Sequence, residues 1–257
     1  MTFVASLLLF NSCEKKSEGL TRITYYAVIE LEGESSVVVD KGSAFVDPGF
    51  TATMNGEDVS DEVVVSGDVD ASTSGVYTIT YSIVNEDGFS SSVTRTVIVL
   101  DTKDPIEGFW ATDPTSFRIY NGGAPVLYGA SFEILIIGQG GGKYLVDDLM
   151  AGWYAQRAGY GSNYAMQALI TVADDGGIAL NASYVPGWGD SADDCTDGIF
   201  DAATQTISYK LFYAGVIEFD VTLNKYEVEA TIDVEPNSPS ATVTYQPNIK
   251  IHSGDST

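Results

Sequence analysis

Basic residues are scarce in this chain. Twelve Lys and Arg face thirty-six Asp and Glu over 257 residues, a formal net charge of −24. A field of that sign repels phosphate backbones, which excludes nucleic acid as a partner class. Histidine is rarer still: His252 stands alone near the C-terminus. A single imidazole argues against a His-rich zinc site and against a Cys–His nucleophilic pair. Cysteine occurs twice, at Cys13 and Cys195, and no apolar run reaches the length of a membrane-spanning helix. The motifs G-x-S-x-G and H-E-x-x-H, the P-loop and the dinucleotide fingerprint are all missing. Gly138 to Gly142 is glycine-rich but opens no helical pattern, so it reads as a hairpin turn. A glycosidase needs only two carboxylates, and thirty-six acids single out no pair. We expect a non-catalytic protein, with glycoside hydrolase as the enzymatic alternative.

What the chain does have is strand material. Apolar residues make up 44 %, and Tyr (15), Phe (11) and Gly (26) are plentiful. That mixture favours all-β structure with tight turns, in one or two domains.

The chain begins with a short apolar run, Phe3 to Phe10, followed by Asn11-Ser12-Cys13. The run suits the apolar centre of a signal peptide. Its ending resembles a bacterial lipobox, with Phe10 where Leu is common. The resemblance implies a signal peptide over 1–12, lipidation of Cys13 and a tether over 13–19. It also implies a place in a Gram-negative envelope. Acidic residues soon after Cys13 suggest an outer-membrane lipoprotein facing outward. An acylated Cys13 would leave Cys195 without a disulfide partner, and the aspartates around Cys195 would keep its thiol unreactive.

Residues 20–101 break into about seven short β-runs separated by Asp47-Pro48-Gly49, Asn55-Gly56 and Asp87-Gly88. Tyr77, Ile79, Tyr81 and Ile83 alternate with polar residues, as a half-buried sandwich strand does. The D-P-G turn, Gly75/Tyr77/Tyr81, Asn85/Gly88 and Arg95/Val97/Val99 together resemble the short Ig-like domains of bacterial surface proteins. The resemblance implies a spacer or presenting module. Asp58, Asp61, Glu86 and Asp87 are weak calcium candidates there.

"LDTKDP", Leu100 to Pro105, reads as a linker, and residues 104–257 as a second β-module with a polar tail. Three hairpins are expected: across Gln139–Gly142, across Ala173–Gly177 and near Gly215. They predict an antiparallel meander that closes into a calycin- or lipocalin-like barrel. Gly108-Phe109-Trp110 sits where such barrels carry a Gly-x-Trp, and Trp110 is expected in the core. The block "YLVDDLMAGWYAQRAGYGSNYAMQA", with "YVPGWGD", "GIFDAATQTISY" and "FDVTLNK", resembles the C-terminal domain of Sus-associated surface lipoproteins. That likeness implies an accessory role in polysaccharide uptake, with polysaccharide and outer-membrane uptake proteins as partners. No cofactor is expected, and calcium is only a weak candidate.

Sugar rings stack on exposed aromatics while polar side chains take their hydroxyls. The candidate platform is Trp153, Tyr154, Gln156, Arg157, Tyr160, Tyr164 and Trp188. Asp190, Asp193, Asp194 and Asp197 form a weak calcium candidate whose spacing misses the EF-hand pattern. Asp190-Ser191-Ala192 resembles an O-glycosylation triplet of Gram-negative envelope proteins, with Ser191 as acceptor. The stretch from Pro186 to Gly198 is expected to be an exposed loop. The non-ligand alternative is a structural or interaction component of an envelope complex.

Overall fold

The computed structural model describes residues 23–226 and two short paired strands at 230–231 and 244–245. Cys13, the signal segment, the tether and His252 lie outside the described residues.

The first module holds seven strands: β1 (Val28–Leu31), β2 (Ser36–Asp40), β3 (Phe50–Met54), β4 (Glu57–Asp58), β5 (Val64–Ser66), β6 (Gly75–Val84) and β7 (Ser90–Leu100). They form two sheets, β1-β3-β4 and β2-β7-β6-β5, with β2 and β7 parallel. Ile79, Tyr81 and Ile83 on β6 and Val97 and Val99 on β7 face the core between the sheets, as the alternation predicts. Asn55 and Gly56 both take positive φ (53° and 85°), which the β3–β4 hairpin needs.

The residues behind the Ig-like resemblance meet in one network. Arg95 is fully buried, and its guanidinium donates to the carbonyls of Glu34, Glu32 and Gly49 at 2.6, 2.8 and 2.9 Å. It also donates to the Tyr81 hydroxyl and pairs with Asp47 at 3.4 Å. The Asp47 carboxylate accepts from Tyr81 Oη and from the Gly49 amide. The D-P-G turn is thus held by a charge the core has swallowed.

The second module holds β8 (Gly108–Thr112), β9 (Phe117–Tyr120), β10 (Val126–Leu127), β11 (Glu133–Gly140), β12 (Lys143–Val146), β13 (Gln167–Val172), β14 (Ile178–Tyr184), β15 (Asp194–Asp201), β16 (Thr206–Tyr213) and β17 (Ile217–Lys225). All three expected hairpins form: β11–β12, β13–β14 and β16–β17. β17 pairs with β16 on one side and with β9 and then β8 on the other. Trp110 is fully buried, donates to Ile106 O and lies under the Lys225 ammonium.

Two expectations change. The sheet curls into a half-barrel and does not zip shut: no ladder pairs β14 with β15, and the bridges at their flanks, Gly177–Ile199 and Val185–Asp190, are isolated. Between these bridges lies an open cleft lined by residues of both strands. Nor is the whole acidic stretch a loop, because Asp194–Asp201 is β15, paired with β16. Its register shifts between Thr196 and Ile199, and Asp197 there takes φ +54°. This bulge breaks the alternation that would have marked a strand.

The two modules are docked. Val38, Ile98 and Leu100 pack against Phe109 and Ile137. Buried Glu107 accepts from the amides of Asp101 at 2.9 Å and Gly138 at 2.8 Å. The connection is therefore fixed at both ends and is not a flexible linker.

Arg95→Met would strip donors from three carbonyls and leave Asp47 facing an apolar side chain. Losing one member of a buried pair typically costs about 3–5 kcal/mol, so a large drop in the urea unfolding midpoint is expected. A loss under about 1 kcal/mol would mean that water replaces the guanidinium.

Candidate functional site

The segment 147–166 between β12 and β13 carries little regular structure: a single π-helical turn, Trp153–Arg157, and a 3-10 turn, Ser162–Tyr164. It covers one end of the half-barrel. The loop 185–193 and the ends of β9 and β16 complete that end.

Trp188, 39 % exposed, is the hub. Its ring meets Tyr154 edge-on at 4.8 Å, Tyr164 at 5.0 Å and Tyr160 at 6.4 Å, and it stacks on Tyr213 at 6.0 Å. Tyr160, 55 % exposed, stacks on Tyr154 at 6.0 Å. Gly187 explains how the loop comes so close. A Cβ there would sit 2.7 Å from the Tyr164 ring and 2.9 Å from Asn163 O. The Gly187 amide donates to that same carbonyl at 2.6 Å.

Tyr213 extends the cluster downward. It is buried, and its hydroxyl donates to both oxygens of Asp190, at 2.9 and 2.8 Å. Burial first, and then the Asp190 carboxylate, push this phenol well above the ordinary tyrosine range. At the opposite edge, Arg118 on β9 donates to Tyr154 Oη at 3.3 Å. Its guanidinium lies 5.7 Å from the centre of the exposed Tyr120 ring and 4.9 Å from that of Trp153.

The expected platform is thus assembled in part. Tyr154, Tyr160, Tyr164 and Trp188 converge. Trp153 does not join the surface: it is 4 % exposed and packs against Tyr128 and Phe219, closing the half-barrel from within. Gln156 is exposed, and its amide donates to Glu133 O, away from Trp188. Arg157 lies over Trp153 at 4.2 Å and donates from Nε to Tyr128 O. Tyr213 and Arg118 were not anticipated. Tyr213 had a signal, since its alternation on β16 faces it inward.

The aspartates of the neighbouring loop are engaged separately. Asp190 accepts from Tyr213, Asp193 from the Gly215 amide and Asp194 from the Cys195 amide, while Asp197 forms the bulge. Among the described residues no three carboxylate, thiol or imidazole groups come together as metal ligands. Neither this loop nor Asp58, Asp61, Glu86 and Asp87 forms the calcium cluster considered from sequence. Ser191 is exposed. Cys195 packs against the core, and burial together with Asp194 pushes its thiol up to about 11, which leaves it unreactive.

A solved structure, the lipoprotein BT2262 from Bacteroides thetaiotaomicron, is 39 % identical to this chain. The match covers 78 % of this chain and 100 % of that one, with a TM-score of 0.66. The chain belongs to the family of that lipoprotein. Family models agree with the two modules. One described as a C-terminal domain matches residues 100–225, and one for the Ig-like domain of bacterial surface proteins matches residues 29–99. Two structures of Clostridium perfringens ZmpB fall far lower. One holds the M60 catalytic domain with CBM51-1 and CBM51-2; the other holds CBM51-2 in complex with GlcNAc and INT domains. They are 16 % and 17 % identical, cover 78 % and 77 % of this chain against 21 % and 44 % of their own, and both have TM-scores of 0.25. Likeness that weak carries no argument. Among curated proteins nothing matches.

In this family member the platform rests on Asp148. That buried carboxylate accepts from the amides of Met150 at 2.9 Å, Gly152 at 3.0 Å and Met166 at 3.0 Å, tying together the two ends of the segment. The carbonyls of Leu149, Met150 and Ala151 accept from Tyr209, Tyr128 and Thr112. Gly152 has φ +83°, and a Cβ there would strike Phe132 at 2.4 Å.

Burial holds the Asp148 carboxyl up at about 6, above the ordinary 3.8, against the pull of its three donors. The unfolded chain therefore releases this proton at lower pH than the folded one. The group's contribution to stability is fullest below the unfolded value and declines as pH rises from about 4 to about 6. Asp148→Asn should flatten that decline when unfolding midpoints are compared across the window; an unchanged slope would refute the shift. Asp148→Ala leaves three buried amides unpaired and should cost about 3 kcal/mol or more at any pH.

Proposed function

We propose that this protein is a lipid-anchored bacterial surface protein whose half-barrel binds carbohydrate at the aromatic end. The carrying observation is Trp188 with Tyr154, Tyr160 and Tyr164 partly exposed around it and Tyr213 buried against it, their rings 4.8–6.4 Å from the indole, flanked by polar groups at Asp190 and Arg118. Rings held by one another present C–H-stacking faces without further ordering, which suits a saccharide better than a flexible peptide. The Ig-like module acts as a stem. Its docking at Glu107 gives the platform a fixed aim relative to the Ig-like module. The reading is non-catalytic, and it places the protein beside an outer-membrane polysaccharide-uptake system as an accessory. Membership in a family that includes a Bacteroides lipoprotein supports the anchor, and the surface Ig-like match supports the address.

Affinity electrophoresis of residues 14–257, which include every described residue, through gels containing a polysaccharide panel tests this. Retardation by at least one glycan is expected, abolished in Trp188→Ala and weakened roughly tenfold in Tyr160→Ala, as the loss of one stacking ring implies. Trp188→Ala removes a ring packed against four tyrosines and should lower stability, so a native circular-dichroism spectrum must accompany the lost binding, and Tyr160→Ala, at the more exposed ring, is the companion variant. Retardation that survives Trp188→Ala would discard the platform. No retardation at all by a folded protein would shift the function to protein–protein assembly.

A further inference from the structure

The described residues contain three arginines, and they divide sharply. Arg95 is neutralised by Asp47 inside the Ig-like core. Arg118 and Arg157 form no ion pair among the described residues, although the chain carries thirty-six acids. Both converge on Trp153, 4.9 and 4.2 Å from its ring centre, so their guanidinium carbons lie within about 9 Å of each other. Arg118 is half-buried, and its Nε is inaccessible and has no hydrogen-bond partner. A buried cationic N–H without an acceptor is unfavourable. Surface lysines such as Lys41, Lys103 and Lys143 bear no such cost, because water solvates an ammonium on a mobile stem. Arg118 and Arg157 are instead oriented by an indole face and one hydrogen bond each, to Tyr154 Oη and Tyr128 O.

We infer that the platform takes an acidic saccharide whose anionic substituent is held by Arg118 and Arg157; this rests on the carbohydrate reading above. A guanidinium has five N–H donors in a fork that matches carboxylate or sulfate oxygens. Arg118 reaches the platform through Tyr154, whose ring lies 4.8 Å from that of Trp188. A sugar stacked at Trp188 would thus carry its charged group toward Arg118 and its hydroxyls toward Asp190. The net charge of −24 opposes a polyanion at long range, but charges separated by more than about 8 Å are largely screened at physiological salt, and the contacts at the arginines are not. A protein this acidic that binds a polyanion must do so through a local, oriented pair, and Arg118 with Arg157 is such a pair.

The test is calorimetric titration of residues 14–257 at about 0.15 M salt. The probes are polygalacturonate, dextran sulfate and, as neutral controls, galactomannan and laminarin. Binding of an acidic polymer is expected, with polygalacturonate alone pointing to carboxylate and dextran sulfate alone to sulfate. Arg157→Gln, at an exposed position, should weaken that binding about tenfold, the usual loss for a charge-assisted contact. Arg118→Lys keeps the charge without the fork and should weaken it as well, while Lys210→Gln, elsewhere on the sheet, should not. Binding of neutral polymers only, or acidic binding untouched by both arginine variants, overturns this inference and leaves the carbohydrate reading standing. A folded protein that binds none of the four polymers overturns the inference; the wider glycan panel then decides the reading beneath it.

Discussion

The aromatic end depends on one buried carboxylate. Segment 147–166 must leave the sheet at β12, cross the mouth of the half-barrel and return at β13. Its first turn runs inside the protein, where backbone amides and carbonyls need partners. Asp148 supplies acceptors to both ends of the segment, and three buried hydroxyls supply donors to the carbonyls between. Ala151 and Gly152 take left-handed φ of 51° and 83° so that the chain can turn around that carboxylate. With the backbone satisfied in this way, Trp153 enters the core as a plug. The next residues, Tyr154 onward, are lifted to the rim. Exposure of the tyrosines is a consequence of burying the tryptophan.

The second constraint joins the modules. Glu107 is 4 % exposed in a chain whose other acids mostly face water. Its two oxygens bind one amide from each side of the junction, Asp101 and Gly138. A Cβ at Gly138 would lie 3.1 Å from the Glu107 carboxyl carbon, so glycine leaves the carboxylate room to reach its amide. Beside it, Val38, Ile98 and Leu100 cover the outer face of β8 and β11. A buried charge with amide donors on both modules makes the junction directional in a way that apolar contact alone does not. That suits a stem better than a tether, since reach and aim are then set by the fold.

Much of this architecture was legible in the sequence, for a physical reason. Strands β6, β16 and β17 are half-buried, so period-two alternation reports them directly, and glycine-rich turns mark the hairpins. The Ig-like motif residues were visible as a pattern; the structure adds that Asp47, Tyr81 and Arg95 are one network. What failed to show was whatever depends on register between distant strands. Arg118 sits in "SFRIY", where alternation places Arg118 and Tyr120 on one face without saying which face is inside. Only its pairing opposite Phe219, a core residue, decides that. Trp153 looked like Trp188 in sequence, an aromatic beside glycines, because composition cannot distinguish a plug from a platform. The seam between β14 and β15 was likewise hidden, since closure is a property of the whole sheet and of no single strand.

Burial of Trp153 also bears on how charge is held at this end. An arginine in free solution carries about 2 kcal/mol of rotamer entropy, part of which is lost when it grips an anion. Here the indole is fixed by Tyr128 and Phe219, and two guanidinium groups lie against it. Cation–π contact of this kind is worth about 0.5–2 kcal/mol, depending on exposure. That is enough to bias rotamers but too little to satisfy ten N–H donors. For the proposed acidic ligand the ordering cost would then fall on folding and not be repeated at binding. The same tryptophan therefore closes the hydrophobic core from one side and aims positive charge from the other. Replacing it would disturb both at once, so the exposed ring of Tyr160 and the exposed charge at Arg157 are the positions where the proposed binding is best tested apart from stability.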